Sequence, residues 1–197
     1  MKPFFYLFFF LPLVLSSQSN WQQKADYNMN VSVDVKTFEF SGNQEIVYTN
    51  NSPDTIRKVY YHLYFNAFKP GSQMDVRSLN ISDPDRRVKD RISKLKKNEE
   101  GDLSVFELKQ DGKPIVFEKQ ETVLLARLNK VLLPGKKTKL ALKFTGVVPK
   151  QIRRSGRNNN DGVALSMTQW FPKLAEYDFE GWHPNPYLAR EFHGVWG

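Results

Sequence analysis

The tightest constraint on this chain is a two-residue rhythm of apolar side chains, interrupted by turn residues about every 8–12 positions. Val59, Tyr61, Leu63 and Phe65 form its most regular run. Val31, Val33 and Val35 alternate with Ser32 and Asp34 in the same way, which predicts a half-buried strand. Phe38 and Phe40 continue in the opposite phase, so a bulge or turn is expected near Lys36 and Thr37. Ser41-Gly42-Asn43 reads as a turn, Ile46 and Tyr48 as a strand, and Asn50-Asn51-Ser52-Pro53-Asp54 as a dense turn signal. Residues 69–101 hold Pro70, Gly71 and Pro84 and break the rhythm; they predict a long excursion with one short helix. Strands resume at Leu103, Val105 and Phe106, and Asp111-Gly112 marks a hairpin into Ile115 and Phe117. A further strand covers residues 123–128, and Pro134-Gly135 leads into Thr138, Leu140, Leu142 and Phe144. The pattern predicts an all-β fold, an antiparallel saddle or sandwich-like sheet with no βαβ units.

The two ends read differently from the middle. Lys2 precedes a 12-residue apolar run over residues 4–15, followed by Ser16, Ser17, Gln18 and Ser19. That layout describes a secretory signal peptide over residues 1–19, with cleavage after Ser17 or Ser19 equally compatible. The run contains Pro12 and falls short of the ~20 residues that span a bilayer. Residues 20–197 then form one domain, exported to a periplasm or secreted, with no membrane span once the signal is removed. The chain has no cysteine, which excludes a disulfide framework, thiolate metal ligation and a lipid-anchoring cysteine. The net charge of +8 is spread over 29 basic and 21 acidic residues. Concentrations at residues 86–97 and 150–157 read as solvated faces, so no nucleic-acid partner is expected. Three of the four tryptophans, Trp170, Trp182 and Trp196, crowd the last 28 positions. Phe192, Val195 and Trp196 leave no polar tail, unlike most chain ends. The expectation is a β-domain incomplete at its C-terminal end, cut from a longer polypeptide, whose open sheet edge and Trp196 promote association.

Little in the chain carries chemistry by itself. His62, His183 and His193 lack the i, i+4 spacing that sets two ligands on one helix face, so no metal is expected here. His62, opposite in phase to Tyr61 and Leu63, is expected to face solvent or to be satisfied by a hydrogen bond. Glu176, Asp178, Glu180 and Glu191 lie among Tyr177, Trp182, Tyr187 and Trp196, a mixture that sugar sites share with ordinary surface loops anchored by aromatics. No serine occupies a G-x-S-x-G elbow, and Ser155 before Gly156 reads as part of a polar turn. Gly156 and Gly162 bracket a loop without phosphate-cradling spacing.

Three strings carry more information than composition. VYYHLYFNAF (residues 59–68), LLPGKKTKLALKFTGVVP (132–149) and ALSMTQWFPK (164–173) occur in this order. Together they resemble the N-terminal β-domain of the aminopeptidase N-like zinc metallopeptidases, most of all their exported bacterial branch. The resemblance covers residues 21–197 and is strongest over 44–70 and 151–197. It implies a partner catalytic domain on the same polypeptide, bearing G-x-M-E-N and H-E-x-x-H, with zinc bound there. Neither motif is present in this chain, so the resemblance implies a non-catalytic domain that is inactive alone. In the family a Thr-Gln pair of the β-domain reaches the active site and meets the substrate's N-terminal residue. Thr168-Gln169 matches it, making Gln169 the implied substrate contact, with Trp170 beside it shaping the first side-chain pocket. Two positions after Gln169 stands Phe171 where many members have an acid, so amine anchoring from that position does not carry over. The alternative is a stand-alone secreted β-sandwich that binds glycan or protein through residues 176–196.

Overall fold

The computed structural model describes residues 21–81, 88–150, 152, 155–159 and 161–188. The proposed signal peptide lies outside the described residues, as do Glu191, Phe192, His193, Val195 and Trp196. Among the described residues the fold is all-β with antiparallel sheets, and no helix is long and apolar enough to cross a membrane.

One sheet orders its strands β1 (Lys24–Val33), β2 (Glu39–Thr49), β8 (Lys137–Val147), β4 (Asp102–Gln110) and β5 (Lys113–Pro114), as β1-β2-β8-β4-β5. The other runs β11 (Lys173–Leu174), β3 (Ile56–His62), β7 (Val123–Leu132) and β6 (Phe117–Gln120), as β11-β3-β7-β6. Their facing sides share one apolar cluster. Phe40, Ile46, Tyr48, Leu103, Leu140 and Phe144 come from the first sheet, and Val59, Tyr61, Leu124 and Ala126 from the second. The alternation therefore carries the core in β2, β3, β7 and β8: most of the inward positions are apolar and buried between the layers, with Gln44 and Thr138 as buried polar exceptions. The expected short helix is α1 (Gln73–Asn80), capped by Ser72, whose hydroxyl accepts the N–H of Asp75 at 3.2 Å.

Two local expectations fail. Ser41-Gly42-Asn43 is no turn but the middle of β2, paired on both sides. Glycine is needed there for closeness: a Cβ on Gly42 would lie 2.7 Å from Cζ of Phe144 and 2.9 Å from the carbonyl of Asn30. The strand signalled by Val31, Val33 and Val35 starts earlier, at Lys24, and its half-buried side chains are Ala25, Tyr27 and Met29. The valines are exposed, at 38%, 38% and 67%: Val31 and Val33 end an edge strand, and Val35 lies in the turn beyond it. The turn near Lys36 is present, closed by the N–H of Phe38 on the carbonyl of Asp34, with Phe38 at φ 62°.

Three of the basic residues in the stretches 86–97 and 150–157 are paired on the surface: Lys94 with Asp90 at 2.5 Å, Lys97 with Glu100 and Lys150 with Glu99 at 3.0 Å. Exposed pairs of this kind add little stability.

Candidate functional site

The segment holding the Thr-Gln pair stitches the two sheets together. It begins as a small hairpin, β9 (Gly156–Arg157) against β10 (Leu165–Ser166). It then crosses the inner face of the first sheet and ends as β11, where Lys173 and Leu174 pair with His62 and Tyr61. Two hydrogen bonds and the packing of two aromatic rings fix the crossing. The Gln44 side chain donates to the carbonyl of Pro172 at 2.9 Å. The N–H of Leu174 donates to the Tyr27 hydroxyl at 2.9 Å. Trp170 meets Phe40 edge-on, with centroids 5.7 Å apart, and lies 6.0 Å from Phe144. Phe171 packs on Tyr27 at 5.7 Å. Burial raises the Tyr27 hydroxyl to about 12, against the lowering effect of the Leu174 N–H, so it stays protonated.

Ser155 was expected in a polar turn and is instead a buried clamp. Its hydroxyl donates to the carbonyl of Thr168 at 2.6 Å, accepts the Thr168 N–H at 3.2 Å and touches the Thr168 hydroxyl. One side chain thus holds both main-chain groups of the residue before Gln169. Gln169 itself sits at φ 56°, in the left-handed region, and is half-buried. A non-glycine residue there is held by its surroundings against a local conformational cost. Trp170, the second expected site residue, spends its ring on core packing against Phe40 and Phe144. Sequence reasoning missed Ser155 and Arg157. The Arg157 guanidinium covers the Phe38 ring at 4.6 Å, and its Nε donates to the carbonyl of Val148 at 3.1 Å. Gln44 had a readable signal, a polar residue on the inward phase of β2; Ser155 had none.

The acidic-aromatic segment forms a second hairpin, β12 (Tyr177–Asp178) with β13 (Gly181–Trp182). Most of its rings are committed. Trp182 packs 5.8 Å from Tyr60, 6.3 Å from Tyr48 and 5.1 Å from Tyr177. Tyr177 also stacks on Trp21 at 5.8 Å and donates to Asp54 at 2.9 Å. Tyr187 is buried against Tyr64 and Phe68. Among the rings of the segment's described residues only Phe179, at the tip, is largely exposed, at 85%. Ligand atoms of Asp178, Glu180 and His183 lie within 4.8 Å of one another. His183 pairs with Asp178 at 2.8 Å, and the N–H of Glu180 donates to the same carboxylate at 2.8 Å. Burial works against these bonds, yet Asp178 is held below the usual carboxylate range. Burial, then the charge of Asp178, pushes Glu176 upward.

This hairpin and the chain after it cover the outer side of β3, which explains His62. Of its two expected states, facing solvent or satisfied within the fold, it takes the second: it is 4% exposed and stacked on Tyr64 at 5.0 Å. It hydrogen-bonds the backbone of His183, while its Nδ1 has no partner among the described residues. Desolvation, with Lys173 nearby, lowers its pKa to about 4, so it is neutral in ordinary conditions.

Comparison with known proteins finds no matching family model and no matching curated relative. Among the solved structures that match are M1 zinc metallopeptidases. One from Deinococcus radiodurans superposes with a TM-score of 0.45 at 13% identity, over 75% of this chain and 26% of that one. A mutant two-domain M1 zinc metallopeptidase bound to L-tryptophan gives 0.45 at 13% identity, over 83% and 29%. This chain spans less than a third of the length of either structure, and no residue role is transferred from them.

Proposed function

We propose that this chain is the non-catalytic, substrate-facing β-domain of an exported zinc aminopeptidase-like protein, with Gln169 as its contact to the substrate's N-terminal residue. The observation that carries the reading is the build of the Thr168-Gln169 loop. A buried serine clamps both main-chain groups of Thr168, and Gln169 is kept in a left-handed conformation next to a packed tryptophan. Such rigidity costs stability and is the preorganisation a contact residue needs. The chain's own groups supply shape and one neutral hydrogen bond, worth about 0.5–1.5 kcal/mol net. Hydrolysis belongs to the zinc-bearing partner domain: its metal would polarise the scissile carbonyl and activate water. Trp170 is a positioning residue for the loop rather than a pocket wall.

The runner-up, a glycan- or protein-binding module using residues 176–196, has Phe179 in its favour. The packing of Trp182, Tyr177 and Tyr187 leaves it few ring faces to offer.

The test is the mass of the native protein, detected with an antibody against residues 161–188 in exported fractions. A band several times heavier than 23.0 kDa is expected. In that protein Gln169→Ala should raise KM for peptide substrates about tenfold with kcat changed less, the loss of one hydrogen bond to a ground-state contact. A single band at or below 23.0 kDa would overturn the proposal.

A further inference from the structure

The edge of the first sheet is built in a way that the proposed function does not use. Strand β1 is ten residues long, pairs in unbroken register with β2, and contains no proline or bulge. Among the described residues its other side has no main-chain partner. The N–H of Asp34 points back to Glu39 on β2, and antiparallel ladders alternate. The outward N–H and C=O groups are therefore those of residues 25, 27, 29, 31 and 33. An edge this long and regular is a pairing template unless something blunts it. The side chains on the inner face of its second half, Val31 and Val33, are left 38% exposed.

We propose that β1 pairs antiparallel with β1 of a second copy, joining the two five-stranded sheets across a twofold axis at Met29. This inference stands independently of the metallopeptidase reading.

The register follows from faces and charges. Keeping the inner faces continuous requires odd residues to oppose odd residues. The register centred on Met29 sets Ala25 opposite the partner's Val33 and Tyr27 opposite the partner's Val31, which covers the exposed valines. On the outer face it sets Lys24 opposite the partner's Asp34, and Asp26 opposite the partner's Ser32. Asp34 is ionised for this role: the N–H groups of Lys36 and Thr37 donate to its carboxylate and hold it below its ordinary range. Lys24 now pairs only with exposed Asp26 at 3.3 Å, a contact that is easily exchanged. Sliding the partner by one step to centre on Asn30 would set Asp26 against the partner's Asp34, two like charges opposed. Sliding the other way leaves Asp34 opposite an uncharged glutamine. The Met29-centred register is thus the electrostatically favoured one. Edge pairing alone buries less than the roughly 1,200 Å² of standard interfaces, which makes a weak, concentration-dependent dimer.

Sedimentation velocity on the full chain should show a monomer–dimer equilibrium that weakens as salt is raised. Met29→Pro removes an N–H that points away from β2, so it should abolish the dimer while leaving the thermal unfolding midpoint near that of the parent. The chain has no cysteine, so Met29→Cys should form a disulfide-linked dimer under mild oxidation, while Ala25→Cys and Val33→Cys should not. Met29 alone faces its own copy across the axis. A monomer at every concentration with no Met29→Cys crosslink would overturn the proposal and leave the edge to a strand of a different protein. A dimer that survives Met29→Pro would overturn it equally.

Discussion

Gly146 of β8 lies directly under the ring of Phe40 on β2, its partner in the ladder. A Cβ at Gly146 would come within 2.7 Å of Cε1 of Phe40 and 2.6 Å of the carbonyl of Asp102. Phe40 has nowhere to go, since Phe65 and Trp170 hold it edge-on at 5.9 and 5.7 Å. Gly146→Ala should therefore destabilise the domain by about 2–3 kcal/mol, read as a lowered urea midpoint with an unchanged slope. An unchanged midpoint would mean that the ring swings aside and that the Trp170 contact is optional.

His62 should make stability fall in mild acid. The folded pKa of about 4 lies below the ordinary 6.5. Between those values the unfolded chain binds a proton that the folded chain does not. Stability is therefore complete above about pH 6.5 and declines toward pH 4, by up to about 3 kcal/mol over the window. His62→Gln should flatten that slope in unfolding curves taken from pH 7 to pH 4.

Two tyrosines should respond in opposite ways to loss of the hydroxyl. Tyr61 is fully buried and its hydroxyl has no hydrogen-bond partner among the described residues. Tyr61→Phe should be neutral or slightly stabilising. Tyr27→Phe removes the acceptor for Leu174 and should cost about 1–3 kcal/mol. Chemical denaturation of the two variants beside the parent decides the matter, and equal effects would refute the assigned geometry.

Ser155→Ala should release the Thr168-Gln169 loop. The expected loss is about 1–2 kcal/mol, with faster amide exchange at Thr168 while the β2 and β8 amides stay protected. Gln169→Gly should do the reverse for stability, raising it by about 0.5–1 kcal/mol, because glycine adopts the left-handed conformation at little cost.

The sheet strands were legible because alternation is a local property. Thr138, Leu140, Leu142 and Phe144 read inward on β8 from sequence, and they are buried. What could not be read was which small or polar residues answer to distant groups. Gly42 looks like a turn because the Phe144 ring that requires it is about a hundred residues away. The sequence leaves His62 open between solvent and a buried partner because its cover comes from the chain near His183. Ser155 looks like loop filler because its work is on Thr168. The resemblance brought Gln169 and Trp170 into view, and the packing assigns the Trp170 ring to the core. Propensity says nothing of such pairings, which only the closed sandwich creates.

The late crossing over the first sheet also sets a schedule for folding. Tyr27 and Leu174 stand 147 positions apart, and Gln44 and Pro172 128 apart. At about 5–20 residues per second, β1 emerges from the ribosome ~7–30 s before the segment that locks it down. Until then its inner face has no lid, and contacts of such long range slow the final step further. The chain therefore remains threadable and open to binding by chaperones through most of its synthesis, and becomes a closed sandwich only when its last fifth arrives.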